Sequence, residues 1–249
     1  MKQKTLHYLA KTSVTLVASF LILLSSSFAQ TKDVRGSSAF CNPSLLKNGR
    51  SSPSGQEGTT LRSVTQNTTI FNTDFVSAGV GGLRDVGNGK IVLNGVSGTI
   101  TKALLYWSGV TNSTTNVGNS IIVNGTTVTG TSLGVSDNNC WGFNNSQAYR
   151  ADVTNLVKAT GNGTYMLSGF GALNPNGASL IVFFNDANNG NNRDVVIFDG
   201  NDSNIFFPGI PSNPDAPADP LGWDVSLSNI NYSSGTANIQ MHVGDGQTF

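Results

Sequence analysis

From Thr68 onward, short runs of apolar and β-branched residues are separated by turns rich in Gly and Asn. Alternation of apolar and polar positions is the period of a strand with one buried face, because successive side chains point to opposite sides of the pleat. Lys102 to Ser108 departs from it in an informative way: Ala103, Leu105 and Trp107 fall on one face, Leu104 and Tyr106 on the other. A strand apolar on both faces is covered on both, which places it near the middle of a sheet. Ala178 to Phe184 has the same character, and Asp194 to Phe198 follows it. Between these two runs, Asn185-Asp186-Ala187-Asn188-Asn189-Gly190-Asn191-Asn192 has the composition of a hairpin loop. Trp223, Val225 and Leu227 alternate with Asp224, Ser226 and Ser228, and Ile239, Met241 and Val243 with Asn238, Gln240 and His242. Both runs predict half-buried strands whose polar side is wet. Asn-Gly pairs beginning at residues 88, 94, 124, 162 and 176 supply turns, since both residues tolerate positive φ.

One segment has a helical period. Val153, Leu156 and Val157 recur at i, i+3 and i+4, with Asp152 or Thr154 available as a cap and Gly161 and Gly163 as the stop. A strand, one helical turn near 153–158 and a return strand make a corner between two sheets. The pattern therefore predicts an all-β antiparallel β-sandwich, jelly-roll-like, over residues 68–249, preceded by an irregular leader at 30–67.

The N-terminus changes the setting. Lys2, Lys4 and Lys11 precede an apolar run from Val14 to Leu24, and Ser25-Ser26-Ser27-Phe28-Ala29 offers the small residues that a signal peptidase reads. That order is a secretory signal over residues 1–29, with cleavage expected between Ala29 and Gln30. The run is about half the roughly 20 residues that a membrane-spanning helix needs. Export predicts a secreted or cell-surface protein, with no membrane insertion once the signal is removed. The full chain balances 14 basic against 14 acidic residues, and loss of the three lysines leaves 11 against 14, a net charge of −3. Such a surface suits neither nucleic acid nor acidic membranes. Cys41 and Cys140 are the only cysteines, and an even pair in an oxidising compartment is expected to form one disulfide.

Candidate chemistry is sparse. After the signal, His242 is the only histidine, and as part of an alternating strand it reads as a wet-face residue rather than a catalytic base. No Gly-x-Ser-x-Gly occurs, and Gly79-Val80-Gly81-Gly82 lacks the third glycine of a dinucleotide loop. The expectation is a non-enzymatic module. Trp107 and Trp223 fall in strand patterns and predict core positions, whereas Trp141 lies in a polar loop beside Cys140 and is the tryptophan placed for ligand contact. From Asp194 to the end there is no Lys or Arg, while seven aspartates follow, and five prolines stiffen the stretch carrying Asp215 and Asp219. Asp199, Asp202, Asp215 and Asp219, with Asn201 or a backbone carbonyl assisting, are thus the candidate ligands of a Ca²⁺ ion, a hard cation that takes six to eight oxygens. The alternative reading of the same residues is a solvated acidic loop whose aspartates form turns.

Taken in order, Ala103-Leu104-Leu105-Tyr106-Trp107-Ser108-Gly109, Ile122-Val123-Asn124-Gly125-Thr126, Tyr149-Arg150-Ala151-Asp152-Val153-Thr154, Gly177-Ala178-Ser179-Leu180-Ile181-Val182 and Val196-Ile197-Phe198-Asp199-Gly200 have a familiar sequence. This succession resembles an uncharacterised β-sandwich domain of large, adhesin-like bacterial and archaeal cell-surface proteins, over roughly residues 68–249. The resemblance implies an adhesive or structural module of a larger protein, with the present chain a fragment of it. Its motifs are packing and turn motifs, so it transfers no site residue. The implied partner is a surface glycan or protein ligand, and a carbohydrate-binding module, calcium-dependent or not, is the alternative function.

Overall fold

The computed structural model describes residues 14–22, 65–136, 143–201, 227–228, 230–232 and 234–243. β1 (Val14–Ile22), β2 (Thr65–Val80), β4 (Thr99–Thr111), β7 (Thr131–Ser136), β8 (Asn145–Asp152), β10 (Asn174–Asn185), β11 (Arg193–Asp199) and β12 (Ala237–Val243) form an eight-stranded sheet in the order β12-β1-β11-β2-β10-β4-β8-β7. β3 (Gly89–Leu93), β5 (Ser120–Val123), β6 (Thr126–Thr129) and β9 (Gly163–Ser168) form a four-stranded sheet, β3-β9-β5-β6. Every pairing is antiparallel except those of β1, which lies parallel to both β11 and β12. The apolar run expected to belong to an export signal thus supplies a sheet strand here, and cleavage after Ala29, if it occurs, would remove that strand.

The small sheet packs on the middle of the large one. Ile91, Leu93, Ile121, Val123, Tyr165 and Leu167 from the small sheet meet Ala103, Leu105, Trp107, Ala178, Leu180 and Val182 from β4 and β10. The other faces of the same two strands, Leu104, Tyr106, Ile181 and Phe183, join Val195 and Ile197 of β11 in a second apolar cluster. This is the doubly covered arrangement expected of Lys102–Ser108 and Ala178–Phe184, and both strands are central. Each fully buried aliphatic or aromatic side chain there contributes roughly 1.5–3 kcal/mol relative to exposure.

The second cluster exists because the large sheet curls. β8 lies four positions from β11 in the strand order, yet Arg150 of β8 forms an ion pair with Asp199 of β11, which also accepts a 3.3 Å hydrogen bond from the Tyr106 hydroxyl. A flat sheet would hold those strands about 19 Å apart at 4.8 Å per step. The corner is equally clear: β8 of the large sheet leads through α1 (Thr154–Thr160) into β9 of the small one. α1 buries Val157 and ends at Gly161, whose φ of +67° no β-carbon tolerates easily.

Four local expectations are corrected. The 185–192 segment is not a hairpin: β10 pairs with residues 74–80 of β2 and β11 with residues 65–73, so both run antiparallel to β2 and in the same direction as each other. Asn176-Gly177 is not a turn but the site of a register shift inside β10, where Gly177 pairs with Ser108. β12 is turned over, with Ile239 64% exposed, Met241 37% exposed and His242 only 6% exposed. Neither Asp152 nor Thr154 is the helix cap. The N-cap residue is Val153, and Asp152 instead accepts the Thr154 N–H at 2.9 Å while the Thr154 hydroxyl accepts the Ala103 N–H at 3.0 Å.

Candidate functional site

The chain changes sheets at Gly130, between β6 and β7. A β-carbon at Gly130 would stand 2.4 Å from the Trp107 Cη2 atom, so only glycine lets the backbone cross the ring this closely. Trp107 cannot retreat readily, because its Nε1–H donates to the Gly118 carbonyl at 2.7 Å and its ring stacks on Tyr149 at 5.7 Å. Burial pushes the Tyr149 hydroxyl up from its ordinary pKa, so it stays neutral, within hydrogen-bonding distance of the Val117 carbonyl at 2.8 Å.

The crossing opens a wedge. β7 pairs with β8 only as far as Thr131 opposite Arg150, which leaves the following residues of β8 without a β7 neighbour. Among the described residues, β6 is the outermost strand of the small sheet and pairs with β5 alone. Between Thr126–Thr129 on one wall and residues 152–156 on the other lies a cavity of about 680 Å³. Val128, Val153 and Leu156 contribute its apolar lining, and threonine hydroxyls, Asn155 and the Lys102–Asp152 ion pair its polar lining.

The ion pair spans 3.3 Å, with side chains 36% and 56% exposed, so it orients the two groups more than it stabilises the fold. Partial burial pushes the Asp152 carboxyl up, but the Thr154 hydroxyl and N–H together with the Lys102 ammonium outweigh this and hold it below the usual carboxylate range.

Backbone geometry adds to these groups. Gly130 donates its N–H to the Asn119 carbonyl at 2.7 Å, which fixes the phase of the β5–β6 ladder. Because antiparallel pairs alternate between hydrogen-bonded and non-hydrogen-bonded, the main-chain groups of Thr127 and Thr129 then point away from β5, toward the open edge. Hydroxyl, amide and main-chain hydrogen bonds beside an apolar lining are equipment for holding an extended ligand. Sequence reading did not single out this cleft. The available signal was Thr126-Thr127-Val128-Thr129, a four-residue polar β-branched run of the sort that forms a short sheet edge.

Of the residues expected to carry function, two lie among those described: Asn201, whose side-chain amide donates to the Gly134 and Ser146 carbonyls at 3.1 and 3.0 Å, and Asp199. Asp199 is 5% exposed and bound by Arg150 and Tyr106, and burial pushes its carboxyl up more strongly than those partners lower it. Asp202, Asp215, Asp219, Trp141, Cys41 and Cys140 lie outside the described residues. Among the described residues, no three His, Cys, Asp or Glu side chains are grouped as a metal ion would require. His242 is buried, with Nδ1 against the Ser179 hydroxyl at 2.5 Å and Nε2 without a partner, and desolvation lowers its pKa to about 4. Ser179 is wholly buried, so this pair meets no substrate from solvent. No family model matches the chain, and neither a curated protein nor a solved structure matches it.

Proposed function

We propose that this chain is a secreted or surface-exposed module that acts by contact rather than catalysis, as an adhesive or structural unit of a larger surface protein. The observation that carries this reading is how the described polar groups are used. Two buried groups, Asp199 and His242, bond to Arg150 and Ser179 on strands across the curl of the large sheet. Among the groups open to solvent, the Lys102–Asp152 pair, Asn155 and the threonines of β6 line the wedge between β6 and residues 152–156. A frame tied across its curl by buried polar pairs, with a polar cleft on its outside, suits holding a ligand. Export by the N-terminal signal would place the cleft outside the cell.

The test is made on the producing cell. Deleting the coding region for residues 65–243 in frame is expected to leave viability unchanged and to reduce attachment to a surface or neighbouring cell. Unchanged attachment, or recovery of the chain only from the cytoplasm, would refute the reading.

A further inference from the structure

We propose that the wedge beside β6 takes an extended peptide, which adds to the open edge of β6 as a fifth strand of the small sheet. This occupant rests on the contact reading above and gives that reading a chemical class of partner. Three observations select a peptide strand. Thr127 and Thr129 direct their main-chain N–H and C=O groups into the opening, and an extended main chain is the ligand that answers alternating donors and acceptors at strand spacing. The cavity, about 680 Å³, runs alongside a four-residue strand and has the size of a small-ligand or short-peptide site. Its lining divides by face: Val128, Val153 and Leu156 would receive every second side chain, and the threonines and the Lys102–Asp152 pair would meet those between. Among the described residues no aromatic ring lines the cavity, whereas a sugar would be held largely by stacking on one. The preferred peptide alternates small β-branched residues with polar ones.

The experiment pans the purified chain against a phage-displayed library of short linear peptides, then measures selected synthetic peptides by fluorescence anisotropy. Peptides with that alternation are expected to bind. Thr127→Pro removes the outward N–H while leaving the β5 side of the ladder intact, a position where an edge strand tolerates proline. It should weaken binding about ten-fold. Thr127→Ala, which keeps the main-chain donor, should bind as the parent does. Amide exchange gives a second measure on the unaltered chain, and covers the case in which Thr127→Pro fails to fold: peptide should slow exchange at Thr127 and Thr129 more than at Val128. Failure to select any peptide, equal slowing at all three amides, binding indifferent to Thr127→Pro, or a glycan in place of a peptide would each overturn the proposal. Loss of attachment on deleting residues 65–243, with no peptide bound, would leave the contact reading standing and this occupant refuted.

Discussion

Gly130→Ala tests whether the sheet switch is set by contact with Trp107. The new methyl would meet Trp107 Cη2 at 2.4 Å, Cζ2 at 2.9 Å and Tyr149 Cβ at 3.1 Å, against the roughly 3.5–4.0 Å that carbon atoms prefer. φ at Gly130 is not in the positive range, so alanine carries no backbone penalty and the cost is steric. Overpacking of this kind costs about 1–3 kcal/mol. If the ring turns away, it loses the hydrogen bond to Gly118, adding about 1–3 kcal/mol for a buried donor left unpaired. With both contributions the expected loss is about 2–6 kcal/mol, read from urea unfolding followed by far-UV circular dichroism. Trp107→Phe removes the offending end of the indole, so Gly130→Ala should cost markedly less in that background. The control is Gly125→Ala: its methyl meets nothing within 4 Å, but a φ of +80° charges it for backbone strain alone, with no coupling to Trp107. Strict additivity of Gly130→Ala and Trp107→Phe, or an unmoved midpoint for Gly130→Ala, would refute the reasoning.

Burial holds His242 at about 4 in the folded chain against 6.5 when exposed, so the unfolded state binds the proton first. Stability from this group is complete above pH 6.5 and is lost as pH falls toward 4, a change of at most about 3 kcal/mol. In the chain that retains β1, the strand β12 pairs with, amide exchange in β12 should accelerate between those values, and His242→Gln should flatten the response. Asp152→Ala, which releases the Thr154 N–H and hydroxyl, should lower the thermal midpoint by the equivalent of about 1 kcal/mol. Intact-mass analysis of the exported protein should begin at Gln30, and alkylation without reduction should find Cys41 and Cys140 unreactive as a disulfide. Any calcium-dependent rise in melting temperature should survive Asp202→Asn poorly but Tyr106→Phe well, because the Tyr106 hydroxyl is bound to Asp199 as a structural partner rather than as a cation shell.

Central strands were the most legible part of the fold, since two apolar faces leave few places to sit: Ala103–Trp107 and Ala178–Phe184 sit where their pattern puts them. The turn at Asn124-Gly125 was equally plain, with φ of +49° and +80° joining β5 to β6. β12 was not, because alternation gives the period of a strand and not which side faces inward. Its polar side turns in because Ser179 and Ser77 offer partners to His242 and Gln240 from strands distant in sequence. The 185–192 segment misled for a related reason: composition signals a change of direction, but the strand available for pairing was β2, more than one hundred residues earlier. The cleft escaped notice because its walls come from 126–129 and 152–156, and neither has a distinctive sequence alone.

Thr65, the first residue of β2, is the register partner of Asp199, the last residue of β11. The chain thus begins and finishes the 65–199 body on neighbouring strands, about 5 Å apart. A body closed in this way can be spliced into a loop of another protein, or circularly permuted across a short linker, with little distortion. It also hangs to one side of the polypeptide that carries it. A pull applied through residues 65 and 199 would peel the β2–β11 ladder one bond at a time from that end, leaving the Trp107 core and the β6 wedge outside the line of force.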